Sequence, residues 1–286
     1  MTYKKDQKID KILDLAQNST SLNKVLASVR RLMVSGDNFT VFSANPEILL
    51  LALKDKKLAS VLLSSDVLLT DGFGLSIASD FLAKRKYKNK LYSIIVYFFQ
   101  GITSGIKLIF TKEKNLVKGR DLFLELTKIG NKLGWKIFLL GGKADEAEKT
   151  KEKLEVSLKK IKIGSFEGPL LNEHALPINR KEYQKEKEAI EEINSFKPDL
   201  LFVAFGAPKQ ELWISKNMPY LKTKGVMSVG GTFRYVSGKV SLPSKMFEKS
   251  GLEWLWRLIS EPRRLVRIFN AVIIFPLKIY SYKLNS

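Results

Sequence analysis

The chain has no cysteine and one histidine among its 286 residues. Without cysteine it has no disulfide, no thiolate metal site and no cysteine nucleophile. A lone histidine excludes a histidine-cluster metal site and argues against serine–histidine chemistry. His174 lies in the loop-like stretch PLLNEHALP and reads as a solvated loop residue. There is no G-x-G-x-x-G and no G-x-x-x-x-G-K-[ST], which argues against dinucleotide dehydrogenases and P-loop NTPases. No D-x-D or other acidic metal cluster is visible, so neither a metal nor another cofactor is expected. The opening MTYKKDQKIDKI is polar and lysine-rich, without an apolar signal-peptide core, and a cytoplasmic site of action is expected.

What is abundant is positive charge. Lys and Arg number 49 against 29 Asp and Glu, a net charge of +20. Such a bias attracts nucleic acid, anionic lipid or phosphorylated substrates. Two regions concentrate it. Ala83–Arg120 carries ten Lys/Arg and one acid, and Lys245–Ser286 carries eight against three. Both combine basic residues with aromatic and aliphatic runs, which points to an anionic membrane surface rather than to nucleic acid.

Apolar runs ending in glycine or polar turns alternate with helix-forming stretches, the pattern of a parallel sheet with crossover helices. The strands read as Phe39–Ser43, Val67–Thr70, Lys136–Leu140, Ile161–Phe166, Leu200–Phe205 and Val226–Val229. Helices are expected at about Ile48–Lys54, Leu75–Leu82, Asp121–Lys132, Asp145–Lys159 and Glu182–Ser195. The fold class is α/β, a doubly wound, mostly parallel Rossmann-like sheet with helices on both faces and a basic helical C-terminal appendage. Residues 1–244 form the core, with an apolar and basic insertion at about 84–116, and 245–286 form the appendage. Leu91–Phe110 is apolar but interrupted by Gln100, Gly101, Ser104, Gly105 and Lys107, so an interfacial or re-entrant helical hairpin is expected rather than a span. A buried helix pair or an oligomer contact is the alternative.

In such a sheet the carboxyl ends of all strands share one edge, so polar residues placed there converge. Four sets qualify: Ser43, Asn45 and Glu47; Asp71; Gly141 and Gly142; and Lys209, Gln210 and Glu211. Asp71, between a strand and Gly72, suits a general base or, equally, a turn or helix cap. Gly141-Gly142 suits a diphosphate cradle. Pro208 fits the first turn of the helix after the central strand. Ser250–Arg267 sets Trp254 and Trp256 beside Arg257, Arg263, Arg264 and Arg267, a pairing suited to a bilayer interface and to phosphate.

At SANPEILLLA (43–52), LLTDGFGL (68–75), GRDLFLEL (119–126), KIFLLGG (136–142), PDLLFVAFGAPKQELWI (198–214), VGGTFRYVSG (229–238) and LEWLWRLISEPRRLVR (252–267) the sequence resembles the WecG/TagA/CpsF family of bacterial glycosyltransferases. The resemblance implies inverting, metal-independent transfer of an N-acetylmannosamine-type or other hexose from a UDP-sugar. The acceptor it implies is a polyprenyl-diphosphate-linked saccharide at the inner face of the bacterial membrane, for teichoic-acid-type or other envelope polysaccharide. It assigns the catalytic role to Asp71 and substrate contacts to Ser43, Asn45, Gln210 and the arginines of the appendage. The chain departs from the family at Leu116, where an arginine is usual and Lys118 or Arg120 is left to supply the charge. It departs again at Arg234, where aspartate is usual, and at Ser241-Leu242 in place of Arg-Ala. Two readings therefore stand: the transferase, associated peripherally with the membrane, and a nucleotide-sugar-binding protein that has lost turnover. Homo-oligomerisation is left open.

Overall fold

The computed structural model describes residues 11–14, 21–110, 117–243, 247, 253–260, 262 and 265–285. Six strands, β1 (Phe39–Ala44), β2 (Val67–Thr70), β3 (Lys136–Gly141), β4 (Lys162–Phe166), β5 (Leu200–Ala204) and β6 (Gly225–Ser228), form one sheet in the order β2-β1-β6-β5-β3-β4. Every pairing is parallel. β5 sits inside the sheet, and all five of its side chains are buried, which is why its sequence is an unbroken apolar run rather than an alternating one.

Helices cover both faces. One face is packed by α2 (Pro46–Lys54), α3 (Lys56–Leu63), α4 (Phe73–Ala83), α8 (Arg180–Phe196) and α9 (Lys209–Asn217). The other is packed by α1 (Leu22–Ser35), α6 (Gly119–Leu133), α7 (Glu146–Ser157) and the short α10 (Thr232–Val236). Alternate strand residues feed the two cores: Leu201 and Val203 point one way, Leu200 and Phe202 the other. Pro46 opens α2, two residues earlier than the sequence suggests, because the Asn45 side chain caps it by accepting from Ile48 N at 2.9 Å. α3 follows at once because Asp55 caps it through Lys57 N and Leu58 N. Pro208 stands at the N-cap of α9, just before its first helical residue.

The insertion corrects the hairpin expectation. Lys90–Phe110 is a single 21-residue helix, α5. Its polar residues lie on the inner face: Ser93, Tyr97 and Ser104 are buried, at i, i+4 and i+11. Gln100 falls on the same stripe, as does Lys107, which pairs with Asp80 of α4 at 2.6 Å. Lys84 of α4 donates to the Gln100 carbonyl and the Thr103 hydroxyl. Leu91, Ile95, Phe98, Phe99, Ile102 and Ile106 face outward and are exposed. Of the residues that interrupt the apolar run, Gln100 and Lys107 fasten the helix to its neighbours and Ser104 is buried beneath it.

α11 (Glu253–Ser260) is followed by α12, which runs Leu265–Asn285 and includes a π-helical stretch at Asn270–Ile274. By length and composition alone α12 could cross a bilayer. One face nevertheless packs on α4 and α5 through the buried residues Phe275, Ile279 and Lys283. Lys283 Nζ donates to the carbonyl of Phe81 and to Gln100 Oε1, and lies over the rings of Phe81 and Tyr97 at 4.4 and 4.8 Å. Tyr280 Oη donates to the Ile94 carbonyl at 2.6 Å. A second face is exposed and apolar: Val266, Phe269, Ile273 and Leu277.

Candidate active site

The carboxyl ends of β2, β1, β6 and β5 border one cavity of about 180 Å³. Parallel register brings its walls together. Ala44 pairs with Thr70, so Asn45 and Asp71 leave neighbouring strands side by side, and Asp71 N donates to the Ala44 carbonyl at 2.8 Å. The N-cap of α4 is Gly72, not Asp71. Ser43, Asn45, Asp71, Gln210 and Glu211 all line the cavity.

Gln210 ties two strand ends together. Its Oε1 accepts from Gly206 N and from Gly230 N, each at 3.1 Å, and its Nε2 donates to Glu211 Oε1 at 2.7 Å. Gln210→Ala would leave two amides and a carboxylate oxygen short of partners, at about 1–3 kcal/mol each if they stay dry. The variant is expected to lose roughly 2–4 kcal/mol of stability in urea unfolding. Unchanged stability would mean that water takes over these bonds.

Glu211 is fully buried, and its carboxyl faces Gln210 and the buried hydroxyl of Ser228. Burial pushes its carboxyl up to about 7, against the opposing hydrogen bond from Gln210. A carboxyl raised on folding binds its proton more tightly in the folded state. Its contribution to stability is therefore full below the ordinary value of 4.5 and declines as pH rises to about 7. Stability should fall by on the order of 3 kcal/mol across that window relative to Glu211→Gln. Parallel unfolding curves for the two proteins from pH 4.5 to 8 would refute the shift.

Three cationic residues join the cavity: Lys118, Arg120 and Arg267. Lys118 and Arg120 flank Gly119 at the start of α6, where unpaired N–H groups and the helix dipole favour an anion. A Cβ on Gly119 would stand 3.1 Å from Ser43 Oγ and would crowd that hydroxyl. Arg120 lies 5.9 Å from the Tyr235 ring, another wall of the cavity. Arg267, from α12, pairs with Glu47 of α2. Sequence reasoning assigned no site role to Gly119, Ser228 or Tyr235, and offered Lys118 and Arg120 only as substitutes for the charge absent at Leu116. The Gly119 helix start was legible as the G-x-D-L segment; Ser228 and Tyr235 left no signal of their own.

Other expected site residues are placed elsewhere. Gly141 and Gly142 are not part of the cavity wall, and Gly142 N is taken by the Ala204 carbonyl at 3.0 Å. A Cβ on Gly141 would stand 2.9 Å from Phe205 Cδ1, so close packing accounts for that glycine. Lys209 also lies outside the wall, its Nζ on the Leu171 carbonyl at 3.0 Å. Arg263, Arg264 and the side chain of Arg257 lie outside the described residues. Arg234, where the family pattern has aspartate, stands 3.5 Å from the buried Glu146. Among the described residues, no group of three His, Cys, Asp or Glu side chains is arranged to hold a metal ion.

A doubly wound parallel sheet, with carboxylates and cations gathered at the strand ends beside a helix N-terminus, defines an α/β protein whose strand-end cavity is chemically suited to an anion. The chain belongs to the glycosyl transferase WecG/TagA/CpsF family, which it matches over residues 11–96 and 94–286, and it is a glycosyltransferase. It is 30% identical over 231 residues, covering 80% of this chain and 75% of the relative, to the N-acetylglucosaminyldiphosphoundecaprenol N-acetyl-beta-D-mannosaminyltransferase of Bacillus subtilis (strain 168). It is 24% identical over 278 residues, covering 96% of this chain and 93% of the relative, to the protein of the same name from Staphylococcus aureus (strain MRSA252).

Proposed function

We propose that the protein transfers an N-acetylmannosamine-type sugar from a UDP-sugar to a polyprenyl-diphosphate-linked N-acetylglucosamine during envelope polymer synthesis. The observation that carries this reading is the shared cavity of Asp71, Gln210, Lys118, Arg120 and Arg267 in a chain similar to transferases named for that acceptor. Asp71 takes the proton of the acceptor hydroxyl, whose oxygen attacks the anomeric carbon from the side opposite the UDP and inverts it. The leaving diphosphate gains negative charge as the bond breaks. Lys118, Arg120 and the N-terminus of α6 stabilise that charge, in the role a metal would otherwise fill. Arg267 and Glu47 border the side from which the acceptor approaches.

The acceptor is a lipid, and the outward faces of α5 and α12 are suited to bring the enzyme to it. A helix whose polar stripe is fastened inward and whose aromatic and aliphatic side chains point to solvent presents a surface for a bilayer, not for water. Lys86 and Lys88 just before α5, and Lys90 at its first residue, suit anionic headgroups. The enzyme therefore works as a peripheral protein on the inner membrane face, with residues 245–286 serving both membrane docking and the site. With UDP-N-acetylmannosamine and N-acetylglucosaminyl-diphosphoprenol, UDP release is expected only when both are present. Bound UDP-sugar with no acceptor-dependent release would reject the transfer reaction.

A further inference from the structure

A second cavity lies between α2 and α12, with a volume of about 530 Å³, within the range of about 300–1,000 Å³ common for small-molecule sites. Its walls are Leu50, Leu51 and Leu53 from α2 and Ile274 from α12, with Lys278 and Ser281 farther along the same helix. Glu47 lines both this cavity and the strand-end cavity, and Arg267, its ion-pair partner, lines the latter. Glu47 is thus common to both cavities, and its salt bridge to Arg267 stands between them. α12 divides its surface three ways: one face is packed on α4 and α5, one borders this cavity, and one is apolar and exposed.

We propose that this cavity holds the first isoprene units of the lipid acceptor, those next to its diphosphate. The inference deepens the acceptor reading above and rests on it. A prenyl-diphosphate sugar has its sugar at one end of the diphosphate and hydrocarbon at the other. With the sugar hydroxyl at Asp71 and the diphosphate at Arg267, the hydrocarbon leaves on the far side of the Glu47–Arg267 pair. There the wall changes from carboxylates and cations to leucines. Hydrocarbon in this channel is shielded from water along the helix whose outer face we assign to the bilayer, so the chain passes from membrane to site without crossing solvent. Lys54 and Lys278 also line the cavity, and lysine stems can cover hydrocarbon while the ammonium stays in water.

The test is binding of farnesyl diphosphate against methyl diphosphate to the full-length protein, by equilibrium dialysis without detergent. The wild type should bind the farnesyl compound at least about tenfold more tightly, from buried hydrocarbon alone. Ser281→Trp, at an exposed position, should fill the channel and reduce farnesyl affinity to that of methyl diphosphate, with methyl diphosphate affinity unchanged. Leu50→Asp should act likewise, with far-UV circular dichroism verifying that it folds. Equal binding of both compounds by the wild type, or a farnesyl preference that survives both substitutions, would overturn the proposal. Sugar transfer is scored separately: farnesyl preference without transfer would keep the channel and reject the acceptor reading.

Discussion

Asp71→Asn is expected to lower the turnover of sugar transfer by about 10²–10⁴-fold while UDP-sugar still binds, since that is what a positioned base contributes. The loss corresponds to about 3–5.5 kcal/mol of transition-state stabilisation. The substitution keeps the shape of the side chain, and the backbone bond from Asp71 N to Ala44 is untouched. KM for the donor should change little, because Lys118, Arg120 and the α6 N-terminus are left in place. Steady-state kinetics with donor and acceptor varied separately distinguish the two parameters. Wild-type turnover in Asp71→Asn would take the base role away from this residue. A collapse of donor binding would make Asp71 a binding residue instead.

Replacing Ile95, Phe98, Phe99 and Ile102 together by serine is expected to reduce partition onto anionic vesicles by more than a hundredfold. Full burial of such side chains is worth roughly 1.5–3 kcal/mol each. Even half of that, over four residues, comes to about 3–6 kcal/mol. All four are exposed in the fold, so the variant should unfold at the wild-type temperature. Removal of Lys245–Ser286 is a poorer test, because Phe275, Ile279 and Lys283 are buried, Lys283 lying over Phe81 and Tyr97, and their loss would damage the body itself. Co-sedimentation with vesicles rich in anionic lipid is the measurement. Undiminished binding of the serine variant would place the membrane contact elsewhere in the chain.

The strand ends were legible because a parallel sheet puts them on one edge: Asn45 and Asp71 directly follow their strands, and Gln210 lies in the first turn of the helix after β5. Gly141-Gly142 met the same criterion and yet lies outside the cavity. A glycine pair after a strand marks close approach, and here Gly141 admits Phe205 and Gly142 admits Glu146. Lys118 and Arg120 were harder to assign, because they begin a helix after a long insertion and reach the site only through the crossover to α6. For α5 the hydropathy showed two faces and could not say which was inside. Gln100, Ser104 and Lys107 read as interruptions of an apolar run, whereas in the fold Asp80, Lys84 and Lys283 meet that stripe. Arg267 reaches Glu47 across 220 positions of chain, a contact that no local pattern announces.

The central claim is one-step sugar transfer at Asp71, and the most direct measurement is the mass and anomeric configuration of the lipid product. Wild-type protein incubated with UDP-N-acetylmannosamine, N-acetylglucosaminyl-diphosphoprenol and a metal chelator should yield a lipid heavier by one N-acetylhexosamine residue, with the donor's anomeric configuration inverted. Retained configuration, or product that forms only when a divalent metal is restored, would contradict the account.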